Sequence, residues 1–132
     1  MEKHSLKKRI DTAAGRIPAD LVIKNCRIVD VYNSSIIEGK SIAITDGCIV
    51  GIGDYHGVHE IDAQGQYAAP GFIDSHIHIE SSYVTPEEIG RLLVPHGTTT
   101  IIADPHEIVN VCGMKGMNCM MEASKGTNLD IR

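Results

Sequence analysis

His76 and His78 stand one residue apart in the segment Pro70-Gly71-Phe72-Ile73-Asp74-Ser75-His76-Ile77-His78-Ile79-Glu80. On an extended strand alternate side chains leave the same face, so both imidazoles can address one metal ion. Imidazole suits zinc, iron and other first-row divalent metals. Such an ion lowers the pKa of a bound water to about 7 and supplies hydroxide near neutral pH. An isolated His-x-His is more often a pair of surface histidines. The apolar run ahead of this one, with Asp74 and Glu80 beside it, brings a metal site level with that alternative. A second cluster, Asp104, His106 and Glu107, closes the segment His96-Gly97-Thr98-Thr99-Thr100-Ile101-Ile102-Ala103-Asp104-Pro105-His106-Glu107. Asp104 or Glu107 could hold a metal or a histidine in place, and His106 could bind substrate or shuttle a proton. The plainer alternative is that Asp104-Pro105 is a loop turn and Glu107 a helix-start residue.

For the two clusters to meet, they must end neighbouring strands of one sheet, whose ends lie close together. The pattern after Pro70 provides this. Phe72-Ile73-Asp74 reads as a short strand running into the histidine pair, and Thr98–Ala103 as a second. Between them a helix starts at Thr85-Pro86-Glu87-Glu88, with Thr85 as cap, Pro86 at the first helical position and Glu88 completing a capping box. Ile89, Leu92 and Leu93 form its apolar face, and Pro95 ends it. A second helix is expected over Val111–Ser124, with Met114, Met117, Met120 and Met121 facing the core. Leu129-Asp130-Ile131 opens a third strand. Alternating strands and helices predict parallel βα units, and residues 70–132 would be the first two of a truncated TIM (β/α)8 barrel, which needs about 250 residues.

Residues 1–69 read differently. Ser5–Ala14 has helical spacing at Leu6, Ile10 and Ala13 or Ala14, with Gly15 as the stop. From Asp20 short strands follow: Leu21–Ile23, Ile28–Tyr32, Ser41–Thr45, Cys48–Ile52, Val58–Ile61 and Gln66–Ala68. Asn33-Ser34-Ser35 is a turn cluster, and Asp46-Gly47 between two β-rich runs is a strong hairpin signal. The fold expected is therefore α/β: a helix and a small antiparallel β module, then the βα units.

Composition narrows the function. Hydrophobic residues make up 42% of the 132, so a packed core forms, and without Trp and with one Phe it must come from Ile, Val, Leu, Met and Ala. A net charge of −5 argues against a nucleic-acid surface. The basic group Lys3, Lys7, Lys8 and Arg9 reads as a solvated helix face. Cys26, Cys48, Cys112 and Cys119 form no C-x-x-C pair, which excludes a zinc ribbon and fits free thiols in the cytoplasm. Met1–Ile10 lacks an apolar signal region, and no apolar run approaches the ~18 residues of a membrane span. Gly51-Ile52-Gly53 lacks the third glycine of a dinucleotide loop. His78-Ile79-Glu80 lacks the P-C-x-x-C partner of cytidine-type zinc deaminases. Gly113 and Gly116 read as packing or turn glycines.

Pro70-Gly71-Phe72-Ile73-Asp74-x-His76-x-His78 is similar to the first-strand motif of the amidohydrolase superfamily. The extensions His78-Ile79-Glu80-Ser81-Ser82, Pro95-His96-Gly97-Thr98-Thr99-Thr100 and Ala103-Asp104-Pro105-His106-Glu107-Ile108 resemble its adenine deaminase family. So do Ala19–Asn25 and the run from Asp46 to Gly53. The resemblance implies metal-dependent hydrolysis of adenine to hypoxanthine and ammonia in purine salvage. It implies divalent metal, manganese or iron with zinc as an alternative, in a binuclear site. His76 and His78 would be ligands of the first metal, and Asp104, His106 and Glu107 substrate or accessory-metal contacts. The β module would be part of a composite β-sandwich, and the full-length parent a homo-oligomer that needs neither nucleic acid nor membrane. The later ligands of such a site are not in these 132 residues, so the chain is expected to be a fragment, inactive and poorly stable or oligomeric by itself. Two alternatives stand beside this: another amidohydrolase acting on a cyclic amide, and a non-catalytic metal-binding or interaction module.

Overall fold

The computed structural model describes residues 3–132; Met1 and Glu2, at the head of the polar start, lie outside the described residues. The fold is α/β, and the chain divides into two compact units at Pro70 and Gly71.

The first unit holds helix α1 (Lys3–Ala13) and strands β1 (Ala19–Lys24), β2 (Arg27–Asp30), β3 (Ser35–Ile37), β4 (Ser41–Thr45), β5 (Cys48–Gly53), β6 (Gly57–Asp62) and β7 (Tyr67–Ala68). They form two sheets, ordered β5-β4-β1-β6 and β3-β2-β7. The β4–β5 hairpin turns on Asp46 and Gly47, both at positive φ (49° and 69°), as a two-residue turn matched to strand twist requires. The module is not purely antiparallel. β1 pairs with β6, and β2 with β7, in parallel. The tandem β1–β2 runs alongside the tandem β6–β7, and both bend together from one sheet into the other. Asn25 and Gln64 take left-handed backbone there, and Gly65 N–H donates to the Asn25 carbonyl at 2.7 Å. Local periodicity identifies a strand but carries no information on the direction of its distant partner.

Cys26, Ile28 and Ile42 pack with Ile23, Ile37, Ile44, Ala63 and Ala68 between these sheets, while Ala19, Val22 and Ala43 pack with Val50 and Tyr55. Helix α1 docks through polar groups. Leu6 and Ile10 stay largely exposed and Thr12 is buried, hydrogen bonded with Thr45 at 3.3 Å. Nor is the basic group simply solvated. Lys8 Nζ lies 2.9 Å from both Asp20 and Asp46, Ser5 donates to Asp46 at 2.8 Å, and Arg9 donates to the Asp46 carbonyl. Hydrogen bonds from Lys8 and Ser5 hold the Asp46 carboxyl below its ordinary range, and the Asp46 N–H together with Lys8 does the same for Asp20. A carboxyl depressed in the folded state contributes stability above its unfolded pKa of about 4 and loses it as pH falls through the lower folded value. D46N should therefore lower the melting temperature at pH 7, where the carboxylate is charged. At a pH below the depressed value, where the wild-type group is already protonated, it should change little. Paired thermal melts at the two pH values check this, and an equal loss at both would contradict it.

The second unit runs β8 (Phe72–Ile77), α2 (Pro86–Leu93), β9 (Thr98–Ala103), α3 (His106–Cys112), α4 (Met114–Ser124) and β10 (Asp130–Ile131). Its sheet, ordered β10-β9-β8, is parallel throughout. Ile79, Ile89, Ile101 and Leu129 form the core, with Ile77, Leu93, Ala103, Met120 and Ile131 against it.

Pro86 opens α2 as expected, but the capping box does not form. Thr85 makes no side-chain cap, its hydroxyl serving the Glu87 carboxylate instead, and Glu88 pairs with Arg91 at 2.7 Å. Leu92 is exposed, and Gly90 takes its place on the buried face, where an added Cβ would collide with Thr127. The helix gives way to a 3-10 turn, Val94–His96, that contains Pro95. The single helix expected over Val111–Ser124 is two helices, broken at Gly113, whose φ of 60° and ψ of −152° no helix contains. Gly116 packs α4 against α3, since a Cβ there would press on Ile108 and Cys112. The methionine stripe faces the core only in part. Met120 packs on it, while Met114 and Met121 are exposed.

Candidate metal centre

Strand β8 delivers His76 as its penultimate residue and His78 just beyond its end. The intervening Ile77 packs into the core, so strand alternation carries both imidazoles away from it, to one side. Their Nε2 atoms lie 3.1 Å apart, with ring centroids at 5.0 Å. The Asp74 carboxylate accepts the His76 backbone N–H at 3.1 Å and fixes the local backbone.

Strand β9 delivers the second cluster, and its end is laced to that of β8. The Asp104 N–H donates to the Ile77 carbonyl at 3.0 Å. The Asp104 carbonyl lies 2.8 Å from His78 Nδ1. A carbonyl can only accept, so His78 carries a proton on Nδ1, and the neutral ring presents a bare Nε2 toward His76. This is the arrangement by which a backbone carbonyl selects the tautomer of a ligating histidine.

His106 and Glu107 open α3. His106 Nδ1 is 3.0 Å from Asp104 Oδ2, and its ring meets that of His78 edge-on, centroids 4.8 Å apart. The hydrogen bond with His106 holds the Asp104 carboxyl below the usual carboxylate range, so Asp104 offers an ionised oxygen at neutral pH. Ser81 donates to both Glu107 oxygens at 2.9 Å. Glu80 accepts the Ile108 N–H on Oε1 at 3.2 Å, while its Oε2 is buried with no hydrogen-bond partner among the described residues.

Five residues singled out by type and spacing thus come together. The ligand atoms of His76, His78 and Asp104 all lie within 4.8 Å of one another, as do those of His78, His106 and Glu107, and His78 is common to both groups. Two nitrogens each about 2.0–2.1 Å from one ion are separated by about 3.0–3.4 Å at ordinary coordination angles. The 3.1 Å between the His76 and His78 nitrogens meets that requirement. Imidazole nitrogens with carboxylate oxygens suit zinc, iron and manganese, so the donor set fits a divalent cation. Glu80 was visible in the sequence as an acidic neighbour of the histidine pair, and with Ser81 as part of the family-like extension, but not as a support of a helix. Their partners lie at the start of α3, where the plainer alternative for Asp104-Pro105 and Glu107, a loop turn and a helix-start residue, is what the structure has.

Among the described residues no helix is long and apolar enough to cross a membrane. The model of the Amidohydrolase family matches residues 67–132. The sequence is 67% identical over 132 residues to adenine deaminase 2 of Desulfotalea psychrophila, a match covering all of this chain and 23% of that protein. It is 60% identical over 133 residues to the adenine deaminase of Ligilactobacillus salivarius, with the same coverage. It is 53% identical over 131 residues to that of Bacillus subtilis, covering 99% of this chain and 22% of the relative. The chain spans less than a quarter of the length of these relatives.

Proposed function

The chain belongs to the amidohydrolase family, and on that premise we propose that it supplies the first metal-binding strand ends of an enzyme that hydrolyses adenine to hypoxanthine and ammonia. The observation that carries this reading is the His76–His78 pair, with Nε2 atoms 3.1 Å apart and the His78 tautomer set by the Asp104 carbonyl. The names of the relatives supply the substrate.

In this reading His76 and His78 bind the first ion of a binuclear centre through Nε2, with manganese or iron as the resident metal and zinc as the alternative. When bound, such an ion would supply Lewis acidity and would lower the pKa of a water to about 7, the chemistry that hydrolysis at C6 of adenine needs near neutral pH. Asp104 keeps His78 in its ligating tautomer through its carbonyl and orients His106 through its carboxylate. His106 and Glu107, held at the start of α3, contact substrate or an accessory metal. Residues 70–132 form the first units of a (β/α)8 barrel, and the β module forms part of a composite β-sandwich. We place the full-length parent in the cytoplasm, as a homo-oligomer serving purine salvage.

A chimera tests the proposal. Residues 1–132 replace the matching segment of the Bacillus subtilis adenine deaminase, and the product is assayed for ammonia and hypoxanthine. Adenine turnover within about tenfold of the parent is expected, since a well-matched first strand conserves the positioning that carries most of the rate. A folded, metal-loaded chimera that spares adenine and opens a cyclic amide would overturn it. The chain alone should not turn adenine over, because in this reading His76 and His78 alone hold the ion and a catalytic zinc site normally has three protein ligands. Turnover by purified 1–132 above a metal-only blank would refute that.

A further inference from the structure

Helix α3 begins without a cap of its own. Its N-cap residue is Pro105, which has no side-chain acceptor, and no side-chain cap bond is made there. The free N–H groups of a helix start need acceptors, and here one comes from another loop. Glu80, in the 3-10 turn Glu80–Ser82 after β8, accepts the N–H of Ile108, the third residue of α3. The adjacent Ser81 donates to Glu107, the second residue of α3. Two neighbouring residues of one loop thus bind two neighbouring residues of the other, once as acceptor and once as donor. The first bond satisfies a backbone donor of the helix start, as a cap does, and the second ties the same turn side chain to side chain.

We propose that Glu80 is a positioning residue that clamps the start of α3, and with it His106 and Glu107, against the His76–His78 pair. The placement of its second oxygen supports this. Oε2 is buried with no hydrogen-bond partner among the described residues, and a buried unpaired oxygen destabilises a fold. Its position is therefore explained by what Oε1 holds. Glu80 belongs to neither group of converging ligand atoms and acts through Ile108. The functional meaning of the clamp rests on the reading of the histidine cluster as a metal site, but the clamp itself does not.

The experiment compares E80A, E80D and E80Q in the 132-residue chain. It reads ring-to-ring nuclear Overhauser effects between His78 and His106, hydrogen exchange at the Ile108 amide, and zinc affinity by calorimetry. A glutamine oxygen accepts the same bond, whereas aspartate falls one methylene short. E80A and E80D should lose the His78–His106 effect and keep that between His76 and His78. Their Ile108 exchange should rise about five- to tenfold, the scale of a lost helix cap, and their zinc affinity should fall about tenfold, the scale of a lost outer-shell support. E80Q should stay near the wild type. Unchanged ring contacts and exchange in E80D overturn the proposal. So does loss of the His76–His78 contact together with the rest, which makes Glu80 a general structural residue. If the wild-type chain binds no zinc, the metal reading fails, and the ring contacts and Ile108 exchange still decide the clamp.

Discussion

Replacing His78 with alanine is expected to weaken divalent-metal binding by at least about a hundredfold, beyond the tenfold to hundredfold typical of lost outer-shell partners. No other single substitution in the cluster should match it. His78 belongs to both groups of converging ligand atoms, so its loss disables both. His76 belongs only to the group completed by Asp104, and His106 only to the one completed by Glu107. H76A and H106A should therefore each leave one group standing and lose less. His78 also differs in support. Its Nδ1–H is already spent on the Asp104 carbonyl, so Nε2 is bare and oriented before an ion arrives, which spares the ordering that a mobile ligand must undergo. Calorimetric titration of the three variants with zinc, beside thermal melts that confirm folding, gives the ranking. Binding by H78A within about twofold of the wild type would place the metal elsewhere and remove the basis of the proposed function.

This site was legible in the sequence to the extent that its geometry is local. One-residue spacing on a strand dictates that two side chains share a side, and the pair His76–His78 obeys it. Asp104, His106 and Glu107 were legible because polar residues closing an apolar strand gather where parallel strands end. Helix α3 was legible only in the plainer alternative for Glu107. A helix start is announced by Ser, Thr, Asp or Asn at the cap, and here the cap is Pro105, with the compensating acceptor on Glu80. That bond joins residues 28 positions apart, and no local pattern encodes it. The same distinction explains the β module. Asp46-Gly47 fixed its hairpin locally, whereas the parallel pairing of β1 with β6 depends on segments that meet only after the intervening chain has folded. Spacing at Leu6 and Ile10 identified helix α1 but not how it docks, since both stay largely exposed and the docking contacts are ionic and hydroxyl groups.

Substitution of Ile101 by alanine should cost about 3 kcal/mol, within the usual range of 2–5 for a buried isoleucine. The same change at Ile102 should cost about 1 kcal/mol, typical of a half-exposed position. The two are neighbours on β9, and strand alternation separates them. Ile101 is 0% exposed, clustered with Ile79, Ile89 and Leu129, while Ile102 is 43% exposed. A unit of roughly sixty residues has a stability of about 3–9 kcal/mol, so I101A should leave the second unit near its unfolding threshold and I102A should not. Urea unfolding of both variants measures the difference, and equal losses would show that β9 does not present alternate faces as described. The consequence reaches the metal centre, because β9 ends at Ala103, one residue before Asp104. The register that buries Ile101 is also the register that sets the Asp104 N–H on the Ile77 carbonyl and the Asp104 carbonyl on His78. A one-residue slip would expose Ile101 and withdraw the tautomer-setting carbonyl together. Core and site are therefore specified by the same strand alignment, and I101A should weaken zinc binding by the fraction of the unit it unfolds, with no change in the affinity of the folded molecules.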